Sequence, residues 1–513
     1  MIMADIKKPH MGFEMTFQKN KAAEGEQEKK PPVATDRSSF HIAVLGDFSG
    51  RANKGINEPA TIAKRRLIEV DRDNLDEVLA KFDLELQLTL ANNSTDTIAI
   101  PVKSFDDFHP DQLYQNVDVF SHLRSLRQRL QNNSSFAQAA EEVQGWLPRD
   151  NAKAPTPAAV TPAQGATKIS LDNLLDSVVT ASRDVSQDAD ASSGSAMVDR
   201  MIRQIVAPYV LPAADPRQDE MIAAVDQAIA AQMRFILHHP QFQSLEAAWL
   251  SLDFLVSRVE TGPTQKIFVL DITKAELDAD LSRDDINPSG MYKRFCDHAP
   301  GNTRFGLLLG NYRFAAQIED VLLLLQLGEI AMQAGAPFMA AADEQWVGCE
   351  SFALTADPDD WKYAVRDGVS NAWTMLRESS VAERLALTVP RFLLRVPYGK
   401  KSKAIDTFQF EEMPASHCHA CYLWGNGAFV KAEQMARSFE NKTKAIETGK
   451  LPVHHYEDEG EQVTKPCAEI LLTEKGGKKM LQQGLIPLWS VKNSDAILSR
   501  DFCSIALTGK SIL

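Results

Sequence analysis

FHIAVLGDFSGRANKG, residues 40–55, joins an apolar run to a glycine-spaced turn and then to basic residues. The run HIAVLG reads as a buried strand, because unbroken apolar character suits a strand covered on both faces. The turn after it decides between a phosphate-binding fold and a plain α/β sheet. A phosphate-cradling loop needs G-x-x-x-x-G-K-[ST], so that backbone N–H groups face the phosphates and the lysine reaches the terminal ones. Gly46 and Gly50 stand one residue too close for that pattern. Arg51 occupies the lysine position, and Ala52 replaces the hydroxyl residue. The dinucleotide spacing G-x-G-x-x-G is missing here as well. The stretch therefore predicts a strand that ends in a turn, and an α/β fold without a nucleotide loop at this point.

An α/β unit extends from this strand over residues 40–147. RRLIEVDRDNLDEVLAKF gives a short strand and then a helix, with Asp73 as the expected N-cap and Asp76 and Glu77 in the first turn. Leu75, Val78, Leu79 and Phe82 share one face of that helix. LELQLTL alternates as a strand, and SFDDFHPDQL opens another helix with Pro110 at its first position. On the amino-terminal side, residues 18–39 are polar and tether-like. Before them, Phe13, Met15 and Phe17 alternate within GFEMTF, the period of a strand. Residues 1–39 thus read as a short strand on a leash, with no sheet of its own.

Residues 148–169 are rich in proline and alanine, and residues 183–196 are polar, so 148–196 reads as a linker. It carries one short helix at 170–182. Leu171, Leu174, Leu175, Val178 and Val179 form its apolar stripe, behind Ser170 as a cap. A helix of about three turns is marginal alone in water. Its stripe needs a groove, in this chain or in another.

Residues 197–513 read as a longer α/β region. Ile222, Val225, Ile229, Met233 and Ile236 mark one face of a helix that Pro240 should stop. QKIFVLDI, FGLLLGNY, PFMAAA, RFLLRVPYG and AEILLT read as strands, and IEDVLLLLQLGEIAMQ as a helix between two of them. No repeat of fixed period is present.

Composition narrows the function. The chain has 513 residues, a net charge of -14 and 44% hydrophobic residues. An acidic chain gains little from counterion release, which argues against nucleic acid as a partner. No stretch approaches the roughly 18 apolar residues of a membrane helix, and no signal peptide is read at the start. Six cysteines at irregular spacing make no disulfide framework. These features place the chain in the reducing cytoplasm.

The chemical candidates are few. SHCHACYLWGNG offers His417, Cys418, His419 and Cys421, but a tetrahedral zinc site needs four converging ligands. Read as extended chain, the segment points Cys418 away from the face that His417 and His419 share. His454, His455 and Cys467 could join only through tertiary contact. His238 and His239, before Pro240, suit the carboxyl end of a helix. Neither G-x-S-x-G nor H-E-x-x-H occurs. No metal, no cofactor and no enzymatic activity are expected.

Several stretches together resemble the sheath proteins of type VI secretion. VLGDFSG, RRLIEVDRDNLDEVLAKF and SFDDFHPDQL are similar to the small subunit, TssB. LLDSVVTAS, ILHHPQFQSLEAAWLSL, FGLLLGNY, LTVPRFLLRVPYG, YLWGNGAF, LPVHHY and GLIPLWSVKNSD are similar to the large subunit, TssC. Both series keep their order. The resemblance implies a mixed-sheet sheath-subunit fold, with a TssB-like domain at 40–147 and a TssC-like sheath domain at 197–513. It also implies a structural role: protomers exchange strands and build a contractile helical tube around an Hcp-like inner tube. Phe13, Met15 and Phe17 would then lie on an exchanged strand. Leu171, Leu174, Leu175, Val178 and Val179 would form the helix gripped by a ClpV-like AAA+ unfoldase, which favours the partner groove. Other sheath subunits and the baseplate complete the expected partners.

Three departures from the family pattern stand out. Both subunits lie on one chain, so the Pro/Ala stretch would be a fusion joint. The TssC-like part is expected to be shortened after VKNSDAILSRDFCSIALTGKSIL. The glycine-rich stretch before LPVHHY is reduced to AIETGK. A second expectation therefore accompanies the first: a sheath-derived adaptor, cap or baseplate-docking component that does not itself polymerise.

Overall fold

HIAVLG does form a strand, β1 (Phe40–Gly46), and it lies inside a seven-stranded sheet. The computed structural model describes residues 39–89, 97–132, 135–144, 218–282, 285–297, 303–413, 418–458 and 460–512. The strand expected at 12–17, the helix expected at 170–182, and His417 lie outside the described residues.

The sheet is completed by β2 (Ile68–Val70), β5 (Gln265–Asp271), β6 (Leu307–Phe314), β7 (Phe338–Ala342), β8 (Leu385–Val389) and β14 (Leu485–Pro487). Its order is β14-β8-β7-β6-β1-β5-β2. All neighbours are parallel except β2, which runs antiparallel to β5. Val44 of β1 stands opposite Val269 of β5 on one side and Leu309 of β6 on the other. The α/β, mixed-sheet expectation is borne out.

The pleat of β1 explains why its apolar run is unbroken. Ile42 and Val44 enter one hydrophobic core, while Ala43 and Leu45 enter a second on the opposite face. The first core is covered by α1 (Leu75–Lys81), α2 (Pro110–Asn116), α3 (Val119–Gln131), α4 (Phe136–Gln144), α5 (Gln218–Leu237), α6 (Pro240–Val256) and, further along the chain, Ala428–Asn441. The second is covered by α7 (Lys274–Leu281), α8 (Gly290–Phe295), α9 (Ile318–Ala334) and α10 (Asp367–Glu378). Helices on both faces of a mainly parallel sheet cover both sides of its central strands, which selects apolar runs over alternation. Alternation survives in the separate hairpin of β3 (Leu84–Thr89) and β4 (Thr97–Val102), where Leu84, Leu86 and Leu88 are buried with Ile98, Ile100 and Val102.

Several local expectations are corrected. RFLLRVPYG is not a sheet strand: only Phe392–Leu393 pair, as β9, with β10 (Trp424–Gly425). The sheet takes the preceding run, β8, which reaches β7 and β14. AEILLT is not a strand either; Ala468 makes one bridge to Phe392, and Glu469 turns inward onto Arg391. Asn74, not Asp73, is the N-cap residue of the first helix, without a side-chain cap bond, and Asp71 accepts from the N–H groups of Asp73 and Asn74. Pro240 opens α6 rather than merely stopping α5, and the His239 side chain caps α6 by accepting from the Gln241 N–H.

Candidate functional site

The most built-up part of the molecule is the seam between residues 40–144 and the residues from 218 onward. At its centre stands Trp249 of α6, fully buried. Its indole N–H donates to the Phe48 carbonyl at 2.9 Å. Phe48, Phe82 and Phe105 meet the indole edge-on, with centroids at 5.5, 5.4 and 6.2 Å. Edge-to-face pairing adds to what burial of the rings supplies. Polar links follow along the seam: Arg127 of α3 pairs with Asp226 of α5 at 2.5 Å, and the Gln218 side chain donates to the Leu130 carbonyl at 2.6 Å.

The opening loop belongs to the same seam. Asp271, at the end of β5, accepts from the N–H groups of Phe48 and Ser49 at 2.8 and 3.0 Å and from the Ser49 hydroxyl at 2.6 Å. Asp47 accepts from the N–H groups of Arg51 and Ala52 at 2.7 and 2.9 Å. Gly50 takes a φ of 70°, which glycine adopts without steric cost. The donors that a phosphate would need are thus spent on carboxylates of the protein. Arg51 points to Glu276, at 2.8 Å, and Arg65 reaches the same carboxylate at 2.6 Å. Glu276 closes a capping box with Thr273 at the start of α7. Burial would raise its pKa, but hydrogen bonds from Arg65 and Arg51 hold it far below the usual carboxylate range.

A second network ties α5 and α6 to the segment after β9. Arg395 bonds Glu246 at 2.6 Å and Glu412 at 2.9 Å, and both carboxylates are buried. Its guanidinium lies over the Tyr398 ring, 4.5 Å from the centroid. His238 stands 3.5 Å from Glu412. Burial pushes the Glu246 pKa up. Glu412 is held down to about 2: burial opposes this, but the Arg395 charge and the nearby His238 outweigh it. The cation lowers both carboxylates, and repulsion between the two favours keeping the proton on one of them. The histidines at 238 and 239 therefore serve packing and capping.

Within HCHAC, His419–Cys421 form a 3-10 turn rather than extended chain, with Cys418 as its N-cap residue. His419 Nε2 bonds Glu469 at 2.8 Å, and the Lys465 ammonium donates to His419 Nδ1 at 3.1 Å. The Tyr422 hydroxyl bonds His454 at 2.9 Å. His454 and Lys465 are paired at the root of the hairpin formed by β12 (His454–Asp458) and β13 (Glu461–Lys465). Cys467 bonds the Ala496 carbonyl and the Ser490 hydroxyl instead, and His455 bonds Thr464. Among the described residues, no group of three or more His, Cys, Asp or Glu side chains is placed to hold a metal ion. Nor is any described helix long and apolar enough to cross a membrane.

Sequence reasoning missed Trp249, Asp271, Glu276 and Arg395. Trp249 carried a usable signal, since Phe242, Leu245, Trp249 and Leu252 recur at helical spacing. The three charged residues carried none, because their partners are remote in the chain.

Two family models match the sequence. VipA of the type VI secretion system matches residues 32–148, and VipB, the EvpB tail sheath N-terminal domain, matches residues 219–505, more than half of the chain. The type VI secretion system sheath protein TssC1 of Pseudomonas aeruginosa is 32% identical over 293 residues, covering 54% of this chain and 59% of that protein. The chain therefore spans less than two thirds of that relative's length.

Proposed function

The chain belongs to the type VI secretion tail-sheath family and carries small-subunit (VipA, TssB-like) and large-subunit (VipB, TssC-like) parts on one polypeptide, and from that premise we propose that it works as a structural subunit of a contractile sheath. One observation carries the reading. β1, from the VipA-matched part, lies between β5 and β6 of the VipB-matched part. Two subunit types that share one sheet act as one building block, and a covalent joint fixes their ratio at one to one and raises their local concentration.

In this reading, assembly proceeds by strand exchange. The segment carrying Phe13, Met15 and Phe17 adds to a neighbour's sheet, where backbone hydrogen bonds supply affinity and alternate side chains supply register. Contacts that do not close on themselves build a helical tube, here around an inner tube of the Hcp kind. Leu171, Leu174, Leu175, Val178 and Val179 are the handle for an AAA+ unfoldase of the ClpV kind, and the baseplate receives one end. The protein acts in the cytoplasm, without a cofactor and without catalysis.

Electron microscopy of the purified chain, alone and with an inner-tube protein, tests this proposal. Tubes with a regular helical repeat are the expected result. Uniform discrete particles under both conditions would replace the sheath role with that of a non-polymerising adaptor.

A further inference from the structure

Cys418 and Cys421 bracket the 3-10 turn, with Cys418 as its N-cap residue and the Cys421 N–H bonded to the Cys418 carbonyl at 3.0 Å. A turn closed by this bond keeps its end Cα atoms within about 7 Å, close to the span of a disulfide. Cys421 is buried, whereas Cys418 is partly open to solvent.

The remaining thiols are differently placed. Cys296, Cys349 and Cys467 are buried, with their sulfurs on backbone carbonyls. Cys503 is partly exposed like Cys418, but burial followed by the nearby Asp501 charge pushes its thiol up.

We propose that Cys418 and Cys421 form a dithiol–disulfide site that exchanges with low-molecular-weight disulfides of the glutathione class. Cys418 is the attacking sulfur and Cys421 the resolving one. The Cys418 thiolate attacks one sulfur of the external disulfide, forming a mixed disulfide and expelling a thiolate, which takes up the proton that Cys418 gave up. Cys421 then loses its proton and attacks the Cys418 sulfur, closing the internal disulfide and expelling the second external thiolate, which takes up that proton. Two protein thiols are oxidised, and one external disulfide is reduced to two thiols.

The division of roles follows from the surroundings. The neighbouring Cys421 thiol, with the N–H groups of Cys421 and Ala420, draws the Cys418 pKa down against the opposing effect of burial. The Cys418 sulfur and burial push the Cys421 thiol up. Attack by the accessible, more acidic thiol and resolution by the shielded neighbour is the order that thiol–disulfide exchange favours.

The test equilibrates the full-length chain with glutathione buffers from reducing to oxidising, quenches with acid, alkylates under unfolding conditions and maps peptides by mass. The peptide carrying Cys418 and Cys421 is expected to lose both alkylation sites together as the buffer becomes oxidising, while Cys296, Cys349, Cys467 and Cys503 stay alkylatable. In the native chain, Cys418 should react with iodoacetamide at least about tenfold faster than Cys503. Cys421→Ser should trap glutathione on Cys418, and Cys418→Ser should leave Cys421 without an adduct. The proposal falls if the wild-type peptide remains a dithiol at every ratio, if Cys503 reacts as fast as Cys418, or if Cys421→Ser captures no glutathione.

Discussion

Cutting the chain within residues 148–169 and expressing the two pieces together isolates the seam around Trp249. The pieces are expected to co-purify at one to one, because β1 must lie between β5 and β6 for either core to close. Trp249→Ala should then break the complex. Removing a buried tryptophan costs about 3–5 kcal/mol. The Phe48 carbonyl, which accepts the indole N–H at 2.9 Å, loses its side-chain partner, and an unsatisfied buried group costs about 1–3 kcal/mol more. The three ring partners of Trp249 all lie in the first piece, so most of this loss falls on association. At about 1.4 kcal/mol per decade, the dissociation constant should rise by about three decades or more. Trp249→Phe keeps most of the ring contact and loses the N–H bond, so about one decade is expected. Analytical ultracentrifugation across a dilution series reads both. An alanine variant whose pieces associate within threefold of the wild-type affinity would refute the reasoning, since it would mean that the aromatic cluster does not hold the seam.

Arg395→Met leaves Glu246 and Glu412 buried without their cation, and should destabilise the chain by about 3–5 kcal/mol in chemical denaturation. Adding Glu246→Gln and Glu412→Gln should recover part of that loss. Lys431, fully buried against Ser499 and Phe502, is pushed by burial down to about 6 from 10.5. The unfolded chain therefore binds the extra proton between these values, and stability rises with pH across that window by up to about 1.4 kcal/mol per pH unit. Lys431→Met should flatten that part of the stability–pH profile measured by denaturant titration. Leu175→Asp should abolish binding of a ClpV-type unfoldase in a pull-down while tubes still form; loss of tubes as well would assign the 170–182 helix to the core instead.

Legibility in the sequence followed the range of the interaction. β5, β6, β7 and α9 were readable because their patterns report burial on both faces or on one stripe. β8 was missed because LALTV and RFLL flank Pro390 as two apolar runs, and only the contact with β7 and β14 tells which one enters the sheet. AEILLT misled for a related reason: its apolar residues pack, but its backbone pairs with β9 only through the Ala468–Phe392 bridge. The opening loop was readable as a turn from failed spacing alone. What braces it was not, because Phe48 and Asp271 are 223 positions apart. The C-x-x-C spacing was visible, yet only the structure shows the 3-10 turn that it closes.

The position of β1 also sets a clock. Its partners β5 and β6 follow only after the whole VipA-matched part, the intervening segment and two further helices have been made. At about 5–20 residues per second, the 223 positions from Phe48 to Asp271 take about 11–45 s to translate. During that interval the growing chain carries an apolar strand with no neighbour on either side. For separate subunits the wait would depend on diffusion and abundance. On one polypeptide the ribosome sets it, and the demand for chaperone protection falls on the nascent amino-terminal part.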